Sequence, residues 1–329
     1  MPFHNRRVLV TGGTGLIGRP LVELLLEQGA KVRVASLDDP SRAPAGVEFQ
    51  RTNLMVFENC RRACDGVDYV FHLAGIKGSP AMTARHPASF FVPTILFNTN
   101  MMEAARQAGV VGYLYTSTIG VYAPAEVLRE DDVWATFPSP HDKFAGWAKR
   151  MGELQAEAYA IEYGWKGVAI VRPANVYGPY DNFDADNAMV IPALIRRALD
   201  GENPLRVWGD GSQVRDFIHA RDVARGMLLA AERGAGQTLN LGTGEGVPIR
   251  QLVELILGEL DERPEVIWDT SKPSGDARRV MDISRARAVG FAPSISITEG
   301  VRDTVAWYRA HRADAGRRYN VFKEPLAIR

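Results

Sequence analysis

The residues best placed to do chemistry open the chain. Thr11-Gly12-Gly13-Thr14-Gly15-Leu16-Ile17-Gly18 sets three glycines at a fixed interval, between an apolar run that reads as a strand and a run with helical spacing. In that context each glycine has a job: Gly12 permits a sharp turn, Gly15 lets the backbone approach a pyrophosphate, and Gly18 lets the helix pack on the strand. The helix N-terminus then faces phosphates with unpaired N–H groups and a partial positive charge. The loop is expected to bind a nicotinamide dinucleotide.

Positioning such a loop takes a βαβ unit. Arg7 to Thr11 reads as the first strand, and helical spacing of Leu16, Val22, Leu25 and Leu26 follows until Gly29. Lys31 to Ser36 returns as the second strand. Further strands are expected at Val47 to Gln50, Asp68 to Leu73, Gly112 to Ser117 and Gly167 to Val171. Helices are expected near Glu58, from Pro87 to Ala108 and from Phe144 to Tyr163. The alternation predicts an α/β fold, a doubly wound parallel sheet of Rossmann type. Beyond Pro173 the rhythm weakens, with helices at Ala188 to Leu199, Arg221 to Glu232, Pro248 to Leu260 and Thr298 to His311, and a strand at Leu205 to Trp208. We therefore expect a dinucleotide-binding domain over 1–173. A smaller mixed α/β portion over 174–329 would bind substrate, with some return of the chain to the first domain.

The 39 basic and 39 acidic side chains cancel, so nothing favours capture by a nucleic-acid backbone or an acidic membrane. Cys60 and Cys64, the only cysteines, lie four apart in an expected helix with no nearby His or carboxylate pattern to complete a metal site. The chain enters its first strand directly and has no apolar run of spanning length, so a cytoplasmic protein without signal peptide or membrane partner is expected.

The Gly12-x-x-Gly15-x-x-Gly18 spacing resembles the extended short-chain dehydrogenase/reductase superfamily. Asp68-Tyr69-Val70-Phe71-His72-Leu73-Ala74-Gly75 looks like its fourth-strand motif, which lies over the cofactor. Tyr115-Thr116-Ser117-Thr118-Ile119-Gly120-Val121-Tyr122 matches the fifth-strand segment, and Ala145-Gly146-Trp147-Ala148-Lys149 resembles the Tyr-x-x-x-Lys helix. Together these are similar to the NAD-dependent epimerase/dehydratase family of nucleotide-sugar enzymes over essentially the whole length. The resemblance implies that Leu16, Ile17, Leu54, Leu73, Ala74, Gly75, Lys77, Thr116, Pro173 and Val176 border the coenzyme with the glycines, and that Lys149 holds its nicotinamide ribose. Asn53 stands where the family usually has an Asp touching the adenine. Ser36 stands where NAD-preferring members carry an acid. Asp38 and Asp39 follow it and favour NAD, whereas Arg42 can pair with a 2′-phosphate, so NAD and NADP both stay open.

By register with Val121-Tyr122, Thr118 is the hydroxyl that would hydrogen-bond the sugar oxygen as it becomes a carbonyl. The tyrosine that should carry its proton is missing, because Ala145 occupies that position. Losing a positioned acid/base costs roughly 10² to 10⁴ in rate, about 3 to 5 kcal/mol. Three explanations stay open: a variant made to trap substrate, an enzyme with another base such as His141 or Asp142, or a binding protein without turnover.

Val171-Arg172-Pro173-Ala174-Asn175-Val176-Tyr177-Gly178-Pro179 resembles the family's sixth-strand motif, in which the asparagine touches the substrate diphosphate. Arg215 in the Trp208 to His219 run, and Arg278 in Gly275-Asp276-Ala277-Arg278-Arg279, are implied diphosphate clamps, with Lys77 and Thr118 also touching substrate. The stretch from Asp181 to Arg197 looks most like the GDP-fucose synthases, which makes Val190, Leu194, Arg197 and Trp208 base-pocket candidates and favours a GDP-sugar. Gly120 and Met189 stand where the 3,5-epimerising members carry Cys and His. Ile119 and Gly120 stand where the 4,6-dehydratases carry an acid. The reading left is C4 epimerisation through a transient 4-keto sugar, then 4-keto reduction, with a sensor or scaffold as the reading from another class. A homodimer is expected through the helices near Asn98 to Ala108 and Lys149 to Tyr163.

Overall fold

A computed structural model of the chain describes residues 2–76, 78, 80–272, 275–320, 322 and 324. The first half runs β1 (Arg7–Thr11), α1 (Gly18–Glu27), β2 (Lys31–Ser36), β3 (Glu48–Arg51), α2 (Phe57–Cys64), β4 (Tyr69–His72), α3 (Pro80–Arg85), α4 (Pro87–Gln107), β5 (Gly112–Thr116), α5 (Lys143–Tyr163) and β6 (Val168–Pro173). The second half runs β7 (Asn175–Tyr177), α6 (Val190–Leu199), β8 (Leu205–Trp208), β9 (Val214–Arg215), β10 (Phe217–His219), α7 (Ala220–Arg233), β11 (Thr238–Leu241), β12 (Val247–Pro248), α8 (Ile249–Leu257), β13 (Val266–Asp269), β14 (Arg278–Arg279), α9 (Ser284–Ala288) and α10 (Ile297–His311).

Among the described residues seven parallel strands form the main sheet in the order β11-β6-β5-β4-β1-β2-β3. The order reverses between β1 and β4, which leaves a crevice beyond the C-terminal ends of those two strands where doubly wound sheets bind ligands. Alternate residues of β1 feed opposite layers: Val8 and Val10 pack with Leu21, Leu25 and Met227, whereas Leu9 packs with Cys60, Met101 and Tyr113. Both faces are therefore dry, which is why the strands read as near-continuous apolar runs. The cysteines serve that packing: both are buried and free, and Cys60 Sγ donates to the Leu54 carbonyl at 3.1 Å.

The elements expected from sequence form within two residues of their bounds, except the helix expected to reach Leu260, which ends at Leu257. The short strands beyond β6 carry too few residues to show a period, and they exist through pairing with distant partners. β11 is the clearest case, since Thr238–Leu241 completes the main sheet beside β6 while α7 packs on the same sheet. A separate apolar cluster of Ile195, Leu205, Phe217, Leu252 and Val305 holds the smaller portion together.

The segment after β5 is held by a buried ion pair. Arg172 on β6 meets Glu153 on α5 at 2.6 Å, both side chains almost wholly excluded from water. Glu153 also accepts from Ser117 Oγ at 2.5 Å. Arg172 Nη1 donates to the Tyr122 hydroxyl at 3.0 Å and to the Glu130 carbonyl at 2.9 Å. The Tyr122 hydroxyl donates a hydrogen bond to Asn240 Oδ1 on β11, and Asn240 Nδ2 donates to the Leu128 and Asp282 carbonyls. Burial alone would lower the Arg172 pKa, but the Glu153 carboxylate holds it above the ordinary range. Removing one member of such a pair leaves a buried charge alone. Glu153→Ala is expected to cost about 3 to 5 kcal/mol, read from the urea unfolding midpoint. A loss below about 1 kcal/mol would mean that the pair does not hold this segment.

Candidate functional site

The glycine loop closes as its residues require. Gly12 adopts φ +69°, and a Cβ there would lie 3.1 Å from the Ala74 backbone, so the loop and the β4 motif touch main chain to main chain. A Cβ on Gly18 would overlap the Gly12 carbonyl oxygen. Thr11 fixes the approach: its Oγ1 accepts from the Leu73 and Ala74 amides at 3.1 and 3.0 Å, which leaves its own hydrogen for His72 Nδ1 at 2.9 Å. His72 Nε2–H then donates to Asn98 Oδ1 at 2.9 Å. Burial, reinforced by the Lys149 charge, pulls the His72 pKa down to about 3, so the imidazole stays neutral and structural.

The residues present fit a dinucleotide. Asn53 Oδ1 accepts from the Met55 amide at 3.0 Å while its Nδ2 is buried without a protein partner. Thr116 Oγ1 and Asn98 Nδ2 are buried and unpartnered as well. Such orphaned polar atoms are costly unless a ligand or water meets them. Leu54 is buried, and Leu73, Ala74 and Val176 are partly exposed. Ser36 Oγ lies 3.0 Å from Thr14 Oγ1, which donates to Asp38 Oδ2 at 2.7 Å, so the end of β2 is tied to the glycine loop through both side chains. Lys77 lies outside the described residues.

The segment expected to be catalytic follows β5 and packs against α5. Thr118 is half-buried, and its Oγ1 accepts from the Gly120 amide at 3.2 Å, keeping the hydroxyl hydrogen for another acceptor. Lys149 Nζ donates to the Thr116 carbonyl at 2.8 Å and sits 5.2 Å above the Tyr115 ring. Gly146 is forced by crowding, since a Cβ there would run into the Gly120 carbonyl and Pro138. Ala145 is partly exposed and supplies no proton carrier. Of the two neighbouring candidates, His141 is exposed, and Asp142 is ion-paired to Arg279 at 2.5 Å.

In the second portion, β9 lies between β12 and β14, and its register sets Arg215 directly beside Arg279. Burial, with the Arg279 charge second, lowers the Arg215 pKa to about 10. Arg279 is pinned by Asp142 and Asp276, and Ser139 Oγ donates to Asp276 at 3.0 Å. Arg278 points the other way, donating to the Glu126 carbonyl at 3.0 Å. The arginine that the fold brings beside Arg215 is thus Arg279, one position from the residue singled out in the sequence. Only the strand register of β14 reveals this.

Asn175 is fixed on β7 by donating from Nδ2 to the Asp216 carbonyl at 2.9 Å. Trp208 and Val190 are 52% and 36% exposed, as ligand-facing side chains can be, whereas Leu194 at 3% belongs to the core. Arg197 is tied to Glu202 and the Arg206 carbonyl at 2.6 Å. Among the described residues no cluster of metal-ligating side chains occurs, and no helix is long and apolar enough to cross a membrane.

The glycine loop at the crevice between β1 and β4 and the desolvated Lys149 thus stand on a doubly wound sheet, with the neighbouring Arg215 and Arg279 in the smaller portion. The pattern of the NAD dependent epimerase/dehydratase family matches residues 8–242, and the chain belongs to that family, whose coenzyme is NAD or NADP. It is 30% identical over 320 residues to GDP-L-fucose synthase 1 of Arabidopsis thaliana, covering 94% of both chains. It is also 30% identical over 323 residues to a dTDP-4-dehydro-6-deoxy-D-allose reductase of a Streptomyces species, covering 94% of this chain and 98% of the relative. Among solved structures it is similar to the Thermus thermophilus UDP-glucose 4-epimerase complex with NAD. The TM-score there is 0.80 at 31% identity, covering 92% of this chain and 99% of that one.

Burial lowers the Lys149 pKa from 10.5 to about 8, with the Glu153 carboxylate acting in the opposite sense. In the ligand-free protein its side-chain NMR signal should titrate with a midpoint near 8. Between about 8 and the unfolded value of 10.5 the unfolded chain binds the extra proton, so this group makes stability rise with pH across that window. A midpoint at the ordinary lysine value would show that the amine is not desolvated.

Proposed function

We propose that the protein is an NAD(P)-dependent nucleotide-sugar epimerase that inverts C4 of an NDP-sugar through a transient 4-keto intermediate, slowed by the alanine at position 145. The observation that carries this reading is the setting of Thr118. Its hydroxyl keeps a hydrogen to donate, while Ile119 and Gly120 beside it bring no acid, base or thiol of their own. Such a site suits hydride exchange at the ring and lacks what elimination or a second epimerisation next to the ketone requires. Similarity to GDP-L-fucose synthase 1 supports a GDP-sugar as the substrate class, and similarity to the UDP-glucose 4-epimerase supports the C4 chemistry.

When bound, the dinucleotide supplies the hydride acceptor and donor. The chain's own groups do the rest. Lys149, fixed by the Thr116 carbonyl, offers its remaining hydrogens to the ribose hydroxyls. Thr118 donates to the sugar oxygen at C4 and orients the ring. Arg215 and Arg279 meet the substrate diphosphate, with Asp142 and Asp276 holding Arg279 in place, and Trp208 and Val190 border the base. No side chain at position 145 takes the proton from that oxygen. Ala145→Tyr is expected to raise turnover by roughly 10² to 10⁴. Calorimetry against GDP-, UDP-, dTDP- and CDP-sugars should show binding to one of them. No gain from the tyrosine, together with binding to none, would favour a dinucleotide-binding sensor instead.

We also infer a homodimer from the packing of α4 against α5, which leaves Val92, Leu96, Leu154 and Ile161 exposed at 40 to 79%, the first two lying before the Asn98 to Ala108 stretch expected from sequence. An apolar face of this kind on paired helices suits a second copy of the same face. Leu96→Asp combined with Leu154→Asp should give a monomer in sedimentation, where the wild type gives a dimer. A wild-type monomer would remove this reading.

A further inference from the structure

The residues after α10 cross back over the glycine loop. Arg42, which follows β2, donates from Nη1 to the Arg317 carbonyl at 2.8 Å, and its own carbonyl accepts from Arg19 on α1 at 2.7 Å. The Tyr319 amide donates to Asp38 Oδ1 at 3.0 Å, on the carboxylate whose other oxygen takes the Thr14 hydroxyl of the loop. Between these two ties lies Arg318. One end of its guanidinium donates to the Tyr180 carbonyl, and Nη1 reaches to 4.0 Å from the point where a Cβ on Gly15 would stand. Gly15 is the residue that lets a pyrophosphate close on the backbone, so this cation hangs over the phosphate position.

The arrangement is incomplete by itself. Arg318 Nε and Arg42 Nε are both buried without a hydrogen-bond partner, and burial, with the Arg42 charge second, lowers the Arg318 pKa to about 10. Of the carboxylates nearby, which both favour the Arg318 charge, Asp38 takes Thr14 and Tyr319, and Asp181 Oδ1 takes the Asn182 amide at 2.7 Å. Among the described residues neither arginine forms an ion pair. Two desolvated guanidiniums with donors to spare, beside a loop of backbone amides, call for an anion with several acceptor oxygens.

We propose that Arg318, delivered by the C-terminal segment, is a phosphate ligand of the bound dinucleotide, with Arg42 as its partner, so that residues 312–320 form one wall of the coenzyme site. The phosphate is either the coenzyme's diphosphate or the 2′-phosphate of NADP. Proximity to Gly15 points to the first, and the position of Arg42 after β2 keeps the second in view.

Calorimetric titration of the full chain with NAD, NADP, ADP-ribose and adenosine tests this. Arg318→Ala should weaken NAD and ADP-ribose by roughly 10- to 100-fold, the range for losing a hydrogen bond to a charged group, and leave adenosine unchanged. Arg318→Lys should recover part of the loss. A larger loss for NADP than for NAD assigns the 2′-phosphate. Tyr319→Pro, which removes the amide donor to Asp38 but keeps the guanidinium, should weaken binding and speed coenzyme release, with thermal melts of the ligand-free variants checking that each folds. Unchanged affinity for both coenzymes in Arg318→Ala would overturn the proposal. So would tighter binding, which would make the segment a competitor for the crevice. A wild type that binds no dinucleotide would remove it together with the coenzyme assignment, whereas a wild type that binds NAD indifferently to position 318 removes the proposal alone.

Discussion

The ion pair between Glu153 and Arg172 is the constraint on which the rest of the site depends. It joins α5 to β6, and through Ser117, Tyr122, Glu130 and Asn240 it reaches the turn after β5 and the outermost strand β11. Buried charges of this kind are poor net stabilisers when compared with apolar side chains, but they specify a geometry, because each lone pair and proton has one satisfying partner. Here the geometry specified is the path of Thr118. Arg150 adds to it by donating from Nε and Nη2 to the Val121 carbonyl, at 3.1 and 2.6 Å. The same helix carries Lys149, so the lysine and the hydroxyl are held by one network rather than by two independent loops.

That coupling explains how position 145 can hold alanine without loss of the frame. The tyrosine position lies on the partly exposed face of α5, whereas the residues that fix α5 lie on its buried face at Ala148, Gly152, Glu153 and Ala156. Gly152 is itself required by Tyr115, whose ring a Cβ would strike. Fold and chemistry are therefore separable here. The scaffold keeps the glycine-loop crevice, the Thr118 hydroxyl and the Arg215–Arg279 pair, and position 145 is one that the packing leaves free to vary.

Electrostatics divides the molecule in a similar way. With no net formal charge, it concentrates desolvated cations at two places. Arg215 and Arg279 stand beside Asp142 and Asp276 in the second portion, and Arg42 and Arg318 stand over the glycine loop. Both arrangements join segments far apart in sequence, and both leave guanidinium groups poorly hydrated, the condition in which phosphate contacts are strongest.

The sequence by itself determined the glycine loop and the order of strands and helices through β6, which rest on local rules: a turn that admits only glycine, and apolar periods of two and of nearly four. Thr118, Lys149 and the alanine at the tyrosine position were singled out by family resemblance. Tertiary structure decided what those rules do not reach. A two-residue strand shows no period, so only its pairing with β9 put Arg279 rather than Arg278 beside Arg215. Asn240 gains its partners Tyr122 and Leu128 only because β11 closes the sheet beside β6. Asp38, already an acid in the sequence, is tied in place because a hydroxyl on the glycine loop and an amide from residue 319 converge on it. Each of these depends on contacts between residues far apart in the chain, whose partners are set by the packing of whole elements and leave no trace in the spacing of neighbours.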